Sequence, residues 1–380
     1  MTAPRRATLV ALLLLLLAPG TAEAARRHAP YGFFGMSLDT GSPGAPYDGD
    51  AQWDLLARTG VESARVVFSW PEAQPSAAQP FDFSRTDVLV AQAARHRISL
   101  LPVVFDTPRW ARLSPGVRHS PPQDPGDYAT YLAALVARYG GRGTFWNEHP
   151  ELPRRPVRAW QIWNEPHLSF YWNSPQGLES GWPGGYVQLL WASWLAVKSG
   201  DPTAKVVLGG LTNDSWNHLE RLYGFGVRGY FDAVAVHVYT ATVNNVVRAV
   251  RMNRHVMRRH HDGAKPLWVT ELSWPAARHR ESQPGFDGVT TTDRGMARRL
   301  SAGYARLIAA RRRLGVARVY WYTWASEYRP GQELGVFSYA GLLRATGGAL
   351  ERTPALRAYR RSARRFEGCA KSRAGRCRSR

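Results

Sequence analysis

The chain has 380 residues and carries 50 Lys or Arg against 29 Asp or Glu, a formal net charge of +21. Its length allows one large domain with a substantial core, and its two cysteines, Cys369 and Cys377, are too few for a Cys-rich metal set. The basic excess points to anionic partners, but no nucleic-acid-binding module is recognisable.

The first 24 residues read as an export signal. Arg5 and Arg6 precede an apolar run, "LVALLLLLLA" at 9–18, and "AEA" at 22–24 offers small residues for cleavage. That run is too short to span a bilayer as a mature helix, and nothing later is long and apolar enough to do so. The expected mature protein begins near Ala25 and is secreted or extracytoplasmic.

From there the chain alternates short apolar runs with amphipathic stretches, eight times over. The strand candidates are 31–38, 63–70, 98–105, 157–163, 205–210, 231–239, 266–273 and 317–324. They are rich in Val and aromatics and mostly apolar throughout, as expected of strands buried on both faces. Between them, Ser84 and Asp127 open helical patterns, and others follow at 186–200, 214–224, 243–260, 294–313 and 353–366. Trp191 and Trp194 fall inside one of these and are expected in the core. Eight such units predict an α/β fold, a (β/α)8 TIM barrel over 25–366 with long loops on its catalytic face. A doubly wound open sheet is the alternative, but no Gly-rich phosphate loop follows the first strand. A basic tail with Cys369 and Cys377 closes the chain at 367–380. From Arg357 to Arg380 there are ten basic residues and one acid. This tail is expected to touch the cell envelope or another anionic polymer, and the cysteines to close a small local loop.

Two Trp-Asn-Glu stretches occur, "FWNEHP" at 145–150 and "IWNEPH" at 162–167. In a barrel, loops after strands form the active face and loops after helices lie at the other end. Glu148 is therefore expected at the structural end, with Trp146 plugging the barrel's base, and Glu165 at the catalytic end. Glycoside hydrolysis needs a second carboxylate. Glu271, closing the seventh strand in "WVTELSWP", supplies it, and burying such a group without a role is costly.

The Asn-Glu pair after strand four and the glutamate ending strand seven resemble clan A retaining glycoside hydrolases. The likeness covers nearly the whole mature chain. "SARVVFSWPEAQPSAAQPFDFSRTD" at 63–87 and "HVY" at 237–239 match the clan's second- and sixth-strand patterns, and Trp324 or Trp321 its eighth-strand tryptophan. "DTPRWA" at 106–111 is similar to family 39 and its exopolysaccharide-degrading relatives. The "LSWP" after Glu271 departs from the Phe-Gly or Phe-Asn common in better-studied families.

The resemblance implies Glu271 as nucleophile, Glu165 as general acid and later base, and Asn164 as donor to the sugar 2-hydroxyl. Arg65 and Tyr239 would hold Glu271 ionised, with His237 on the same strand face as Tyr239. Among the loop aromatics Trp110, Phe170, Tyr171, Trp172, Trp182, Trp274 and Trp324, about half are expected to stack on sugars, and Trp172 and Trp182 to pack the loops instead. Arg278, His279 and Arg280 would bias the cleft toward anionic sugars, solvated loop charges being the bland alternative. The substrate is expected to be a β-linked carbohydrate, without cofactor or metal. A transglycosylase using the same glutamates and a non-catalytic carbohydrate-binding protein are the rival readings. No G-x-S-x-G elbow and no H-E-x-x-H set occurs.

Overall fold

The computed structural model describes residues 27–38, 49–174, 178–212, 214–327, 335–346, 349–367, 370–371 and 377–378. The expected leader at 1–24 and Cys369, one end of the expected cysteine loop, lie outside the described residues. Eight parallel strands alternate with eight main helices. The strands are β1 (Phe34–Ser37), β2 (Ser63–Ser69), β3 (Ser99–Phe105), β4 (Ala159–Ile162), β5 (Lys205–Val207), β6 (Val234–Val238), β7 (Leu267–Leu272) and β8 (Val316–Tyr322). The helices are α1 (Asp50–Thr59), α2 (Ser84–Arg95), α3 (Pro125–Tyr139), α4 (Leu178–Gly200), α5 (Ser215–Gly224), α6 (Val243–Arg259), α7 (Asp293–Leu314) and α8 (Pro354–Glu367).

The strands hydrogen-bond in the order β5-β4-β3-β2-β1-β8-β7-β6. Parallel bridges Val207–Ala233 and Leu211–Val236 join the two ends and close the barrel. This is the expected (β/α)8 architecture, and it follows from strands whose apolar side chains are buried on both faces.

Two apolar layers result. The larger lies between barrel and helices; a smaller one fills the barrel with Leu101, Ala159, Val207, Ala235, Trp268 and Tyr320. The Arg318 guanidinium sits over Trp268 at 4.6 Å and donates to Ser63 Oγ, which also meets the Tyr320 hydroxyl at 2.8 Å. Gly35 is required opposite Tyr320, because a Cβ there would lie 2.4 Å from the ring. These residues, not Trp146, fill the interior. Trp146 packs outside the barrel, edge-on to Phe145, and its Nε1 donates to the Tyr139 carbonyl.

Helix starts fall slightly earlier than the sequence pattern implies. Asp82, ahead of Ser84, accepts the Ser84 N–H at 2.8 Å, and Asp124, ahead of Asp127, caps α3 by accepting from Gly126 N at 2.7 Å. In both cases the acid before the first turn takes the free amide. Trp191 is a second correction: it points outward from α4 and is half exposed, whereas Trp194 packs partly against the core.

Candidate active site

At the C-terminal end of the barrel, β2, β4, β6 and β7 bring six of the expected residues together. Arg65 on β2 is the hub. Its Nη1 donates to Glu271 Oε1 at 2.7 Å, its Nη2 to Asn164 Oδ1 at 2.7 Å, and its Nε to Gln161 Oε1 at 2.8 Å. The fork geometry of a guanidinium serves three acceptors that an ammonium could not. Tyr239, one residue past β6, donates its hydroxyl to Glu271 Oε2. Both oxygens of Glu271 are thereby held by donors, an arrangement that favours the carboxylate over the acid.

Glu165 is presented by a strained turn rather than by the strand itself. Trp163 and Glu165 both adopt positive φ, 66° and 45°, which non-glycine residues rarely do. The turn is clamped by Trp163 Nε1 to the Tyr171 carbonyl, by Leu168 N to the Glu165 carbonyl, and by Tyr186 OH to the Ile162 carbonyl. His237 Nδ1 meets Glu165 Oε1 at hydrogen-bond distance and lies 3.5 Å from Glu271 Oε2. A register shift between β6 and β7 places His237 directly opposite Glu271. Gly210 makes room for the imidazole: a Cβ there would fall 1.9 Å from Nε2.

Electrostatics separate the two carboxyls. Burial, then the Glu271 charge, push the Glu165 acid well above its ordinary range, with Arg65 opposing. Burial, then Arg65 and His167, push His237 well below the usual histidine value, so its ring is neutral. Burial and the Glu271 charge push the Tyr239 phenol up, keeping it a donor. With the ring neutral, this contact is made either by an Nδ1–H donating to Glu165 Oε1 or by the protonated carboxyl donating to Nδ1. Glu165, His237 and Glu271 each offer a ligand atom within 4.8 Å of the others, a spacing that a metal ion also accepts. The guanidinium already paired with Glu271 supplies positive charge at that point.

The remaining sequence candidates separate. Trp110 is 37% exposed, edge-on to Trp70, with Nε1 bonded to the Gln74 carbonyl. Trp274 and Trp324 are fully buried, and this corrects their assignment as sugar platforms. Trp274 Nε1 donates to the Thr240 carbonyl, and Trp324 Nε1 to Gln52, so both rings pack beneath the mouth. Trp321 is buried too; the eighth-strand aromatic beside Tyr239 is Tyr322. Phe337 stacks edge-on to both Tyr239 and Tyr322, and Phe286 to Phe337. Sequence reasoning missed this cluster because residues far apart in the chain build it. Gln161 was also missed, though a buried amide in an apolar strand is a signal. Trp172 and Trp182 are buried, whereas Phe170 is exposed. Arg280 is paired with Asp293 at 2.8 Å, leaving Arg278 and His279 as the exposed bases of that loop. Glu148 lies at the far end, ion-paired with Arg138 at 3.1 Å.

Two carboxyls thus stand at the mouth of the barrel, one ion-paired with Arg65 and one pushed toward its protonated form by burial. Solved glycoside hydrolases share this fold. A family 39 glycoside hydrolase from Bacteroides cellulosilyticus WH2 superposes with a TM-score of 0.66 at 17% identity, over 90% of this chain and 64% of that one. A GH39 β-xylosidase from Caulobacter crescentus gives 0.60 at 19% identity, over 89% of this chain and 72% of that one. A GH5_18 structure from Streptomyces cattleya with GlcNAc gives 0.63 at 17%, over 90% and 81%. The chain thus spans just under two thirds of the first of these. No protein-family model and no curated protein matches the sequence. At such identities the likeness establishes the fold, that of family 39 and GH5_18 glycoside hydrolases.

Proposed function

We propose that this chain is a retaining glycoside hydrolase that cleaves β-linked poly- or oligosaccharide by double displacement. The observation that carries this reading is the approach of Glu165 and Glu271 at the barrel mouth, where one oxygen of each carboxyl lies within 4.8 Å of one oxygen of the other. Retaining enzymes hold these groups about 5–5.5 Å apart, whereas inverting ones need roughly 6.5–9.5 Å to admit a water. Support for a β-linked sugar comes from neighbours described as a β-xylosidase and as a complex with Manβ1-4GlcNAc.

In this mechanism Glu271, held by Arg65 and Tyr239, attacks the anomeric carbon while Glu165 gives its proton to the departing glycosidic oxygen. Glu165, now ionised, then takes a proton from water, whose oxygen displaces Glu271 from the anomeric carbon. Arg65 fixes Asn164 through Oδ1, which leaves the amide Nδ2 to donate to the sugar 2-hydroxyl. Trp110, partly exposed in the loop after β3, is suited to stacking on a sugar face. The protein is read as exported, on its N-terminal leader; protein that stays in the cytoplasm with Met1 still at its N-terminus would refute that.

A mechanism-based 2-fluoroglycoside tests the chemistry. A covalent adduct on the peptide containing Glu271, absent from Glu271→Gln, is expected. An initial product of inverted anomeric configuration by NMR would sink the reading.

A further inference from the structure

The positive charge of this protein is concentrated on one side of the barrel. Helices α6, α7 and α8, which pack side by side, carry seventeen arginines, no lysine and two acids, a net +15. Helices α2, α3 and α4 carry four bases and three acids, a net +1. Local order is sharper still on α8. Arg357, Arg360, Arg361, Arg364 and Arg365 are all exposed, at the i, i+3, i+4, i+7, i+8 spacing of one helix face. The opposite face, with Ala355, Leu356, Ala358, Tyr359 and Ala363, is buried. Among the described residues none of these five arginines has a carboxylate partner. Both acids on the three helices are already used: Asp293 bonds Arg280 and Arg344, and Glu367 is buried.

Simple explanations cover only part of this. Arg311, Arg312 and Arg313 complement the C-terminal dipole of α7, but Arg294, Arg298 and Arg306 sit in its first turns and middle, where the dipole gives no gain. Like charges also crowd one another. Burial, then Arg364, Arg58 and Arg352, pull Arg360 below its ordinary value, and burial, then Arg278 and Arg298, do so for Arg299. The second of these links the face to Arg278 in the loop after β7, so the positive strip runs from the barrel mouth down the side of α7.

We propose that the α6–α8 face is a docking surface for a carboxylate-bearing polysaccharide, which it holds alongside the catalytic mouth. Guanidinium groups pair bidentately with carboxylates, and rungs about one helical turn, roughly 5.4 Å, apart suit a polymer with one acid per sugar. An anionic bilayer is the rival occupant. Stable membrane adsorption usually joins a basic patch to apolar anchors, and none of the large exposed hydrophobics lies on α6, α7 or α8. The proposal rests on the glycosidase reading only in treating the held polymer as substrate.

Affinity of the full chain for polygalacturonate, neutral dextran, and phosphatidylcholine vesicles with phosphatidylglycerol tests it, beside hydrolysis of small aryl glycosides. Wild type is expected to bind polygalacturonate, more weakly as salt rises, and not dextran. Replacing Arg357, Arg360, Arg361, Arg364 and Arg365 with Gln should weaken this binding at least about tenfold, since each exposed pair contributes a modest factor. Aryl glycoside turnover and the thermal midpoint should stay unchanged. A second variant, Arg298→Gln with Arg306→Gln, should weaken binding in the same direction. Removing five charges elsewhere, at the exposed Arg85, Arg95, Arg142, Arg154 and Lys205, should leave the affinity near wild type. Equal losses in the two five-residue variants, or tighter binding to vesicles than to polygalacturonate, would overturn the proposal. Absent aryl glycoside turnover with polyuronate binding intact would instead sink the glycosidase reading alone.

Discussion

Acidification should destabilise this fold through one buried imidazole beside the turn that presents Glu165. His167, two residues after Glu165, is 9% exposed, and its Nε2 accepts the Thr212 N–H at 3.3 Å and faces Thr212 Oγ1 at 3.1 Å. It stacks on His218 at 4.2 Å between ring centroids. Burial first and His218 second push its pKa from 6.5 down to about 3. Below pH 6.5 the unfolded chain therefore binds a proton that the folded chain refuses, so stability falls as pH falls. The loss begins near the unfolded value of 6.5 and is complete only below about 3. At about 1.4 kcal/mol per pH unit, acidification from 7 to roughly 4.5 costs about 2–3 kcal/mol through this residue. That is a sizeable share of a typical 5–15 kcal/mol of stability. Urea unfolding of wild type and His167→Gln across this range isolates the effect. The stability gap between the two should shrink by about 2–3 kcal/mol toward the acid end. A gap that stays constant with pH would refute the reasoning.

Other outcomes follow from the same geometry. Because burial and the Glu271 charge raise the Glu165 acid, kcat/KM should fall as pH rises through that elevated value, and a basic limb that survives in Glu165→Gln would contradict the assignment. Arg65→Lys keeps the charge but abandons the three-way fork, and should lower kcat by roughly 100-fold with little change in the thermal midpoint. Gly210→Ala drives a methyl into His237 and should cost on the order of 100-fold in kcat, read in steady-state kinetics. Glu148→Gln removes only an exposed ion pair with Arg138, so turnover and stability should stay within about 0.5 kcal/mol of wild type.

The barrel was legible because its strands are buried on both faces: eight apolar runs and eight amphipathic stretches leave few other ways to cover themselves. Chain order then separated Glu165 from Glu148, since a loop after a strand and a loop after a helix lie at opposite ends of any such barrel. The count of basic residues from Arg357 onward also flagged the arginines of α8, although only packing shows that α6 and α7 extend the same face. What the sequence could not supply was the direction of side chains beyond a strand's regular pleat. Trp274 and Trp324 lie next to the mouth in sequence, yet their rings turn inward to satisfy indole N–H groups, and Tyr322 takes the place beside Tyr239. The positive φ of Trp163 and Glu165, the register shift opposite His237, and the reach of Arg65 to Gln161, Asn164 and Glu271 arise from contacts between distant strands. Local pattern determined which residues could do chemistry; the closed barrel decided which of them meet.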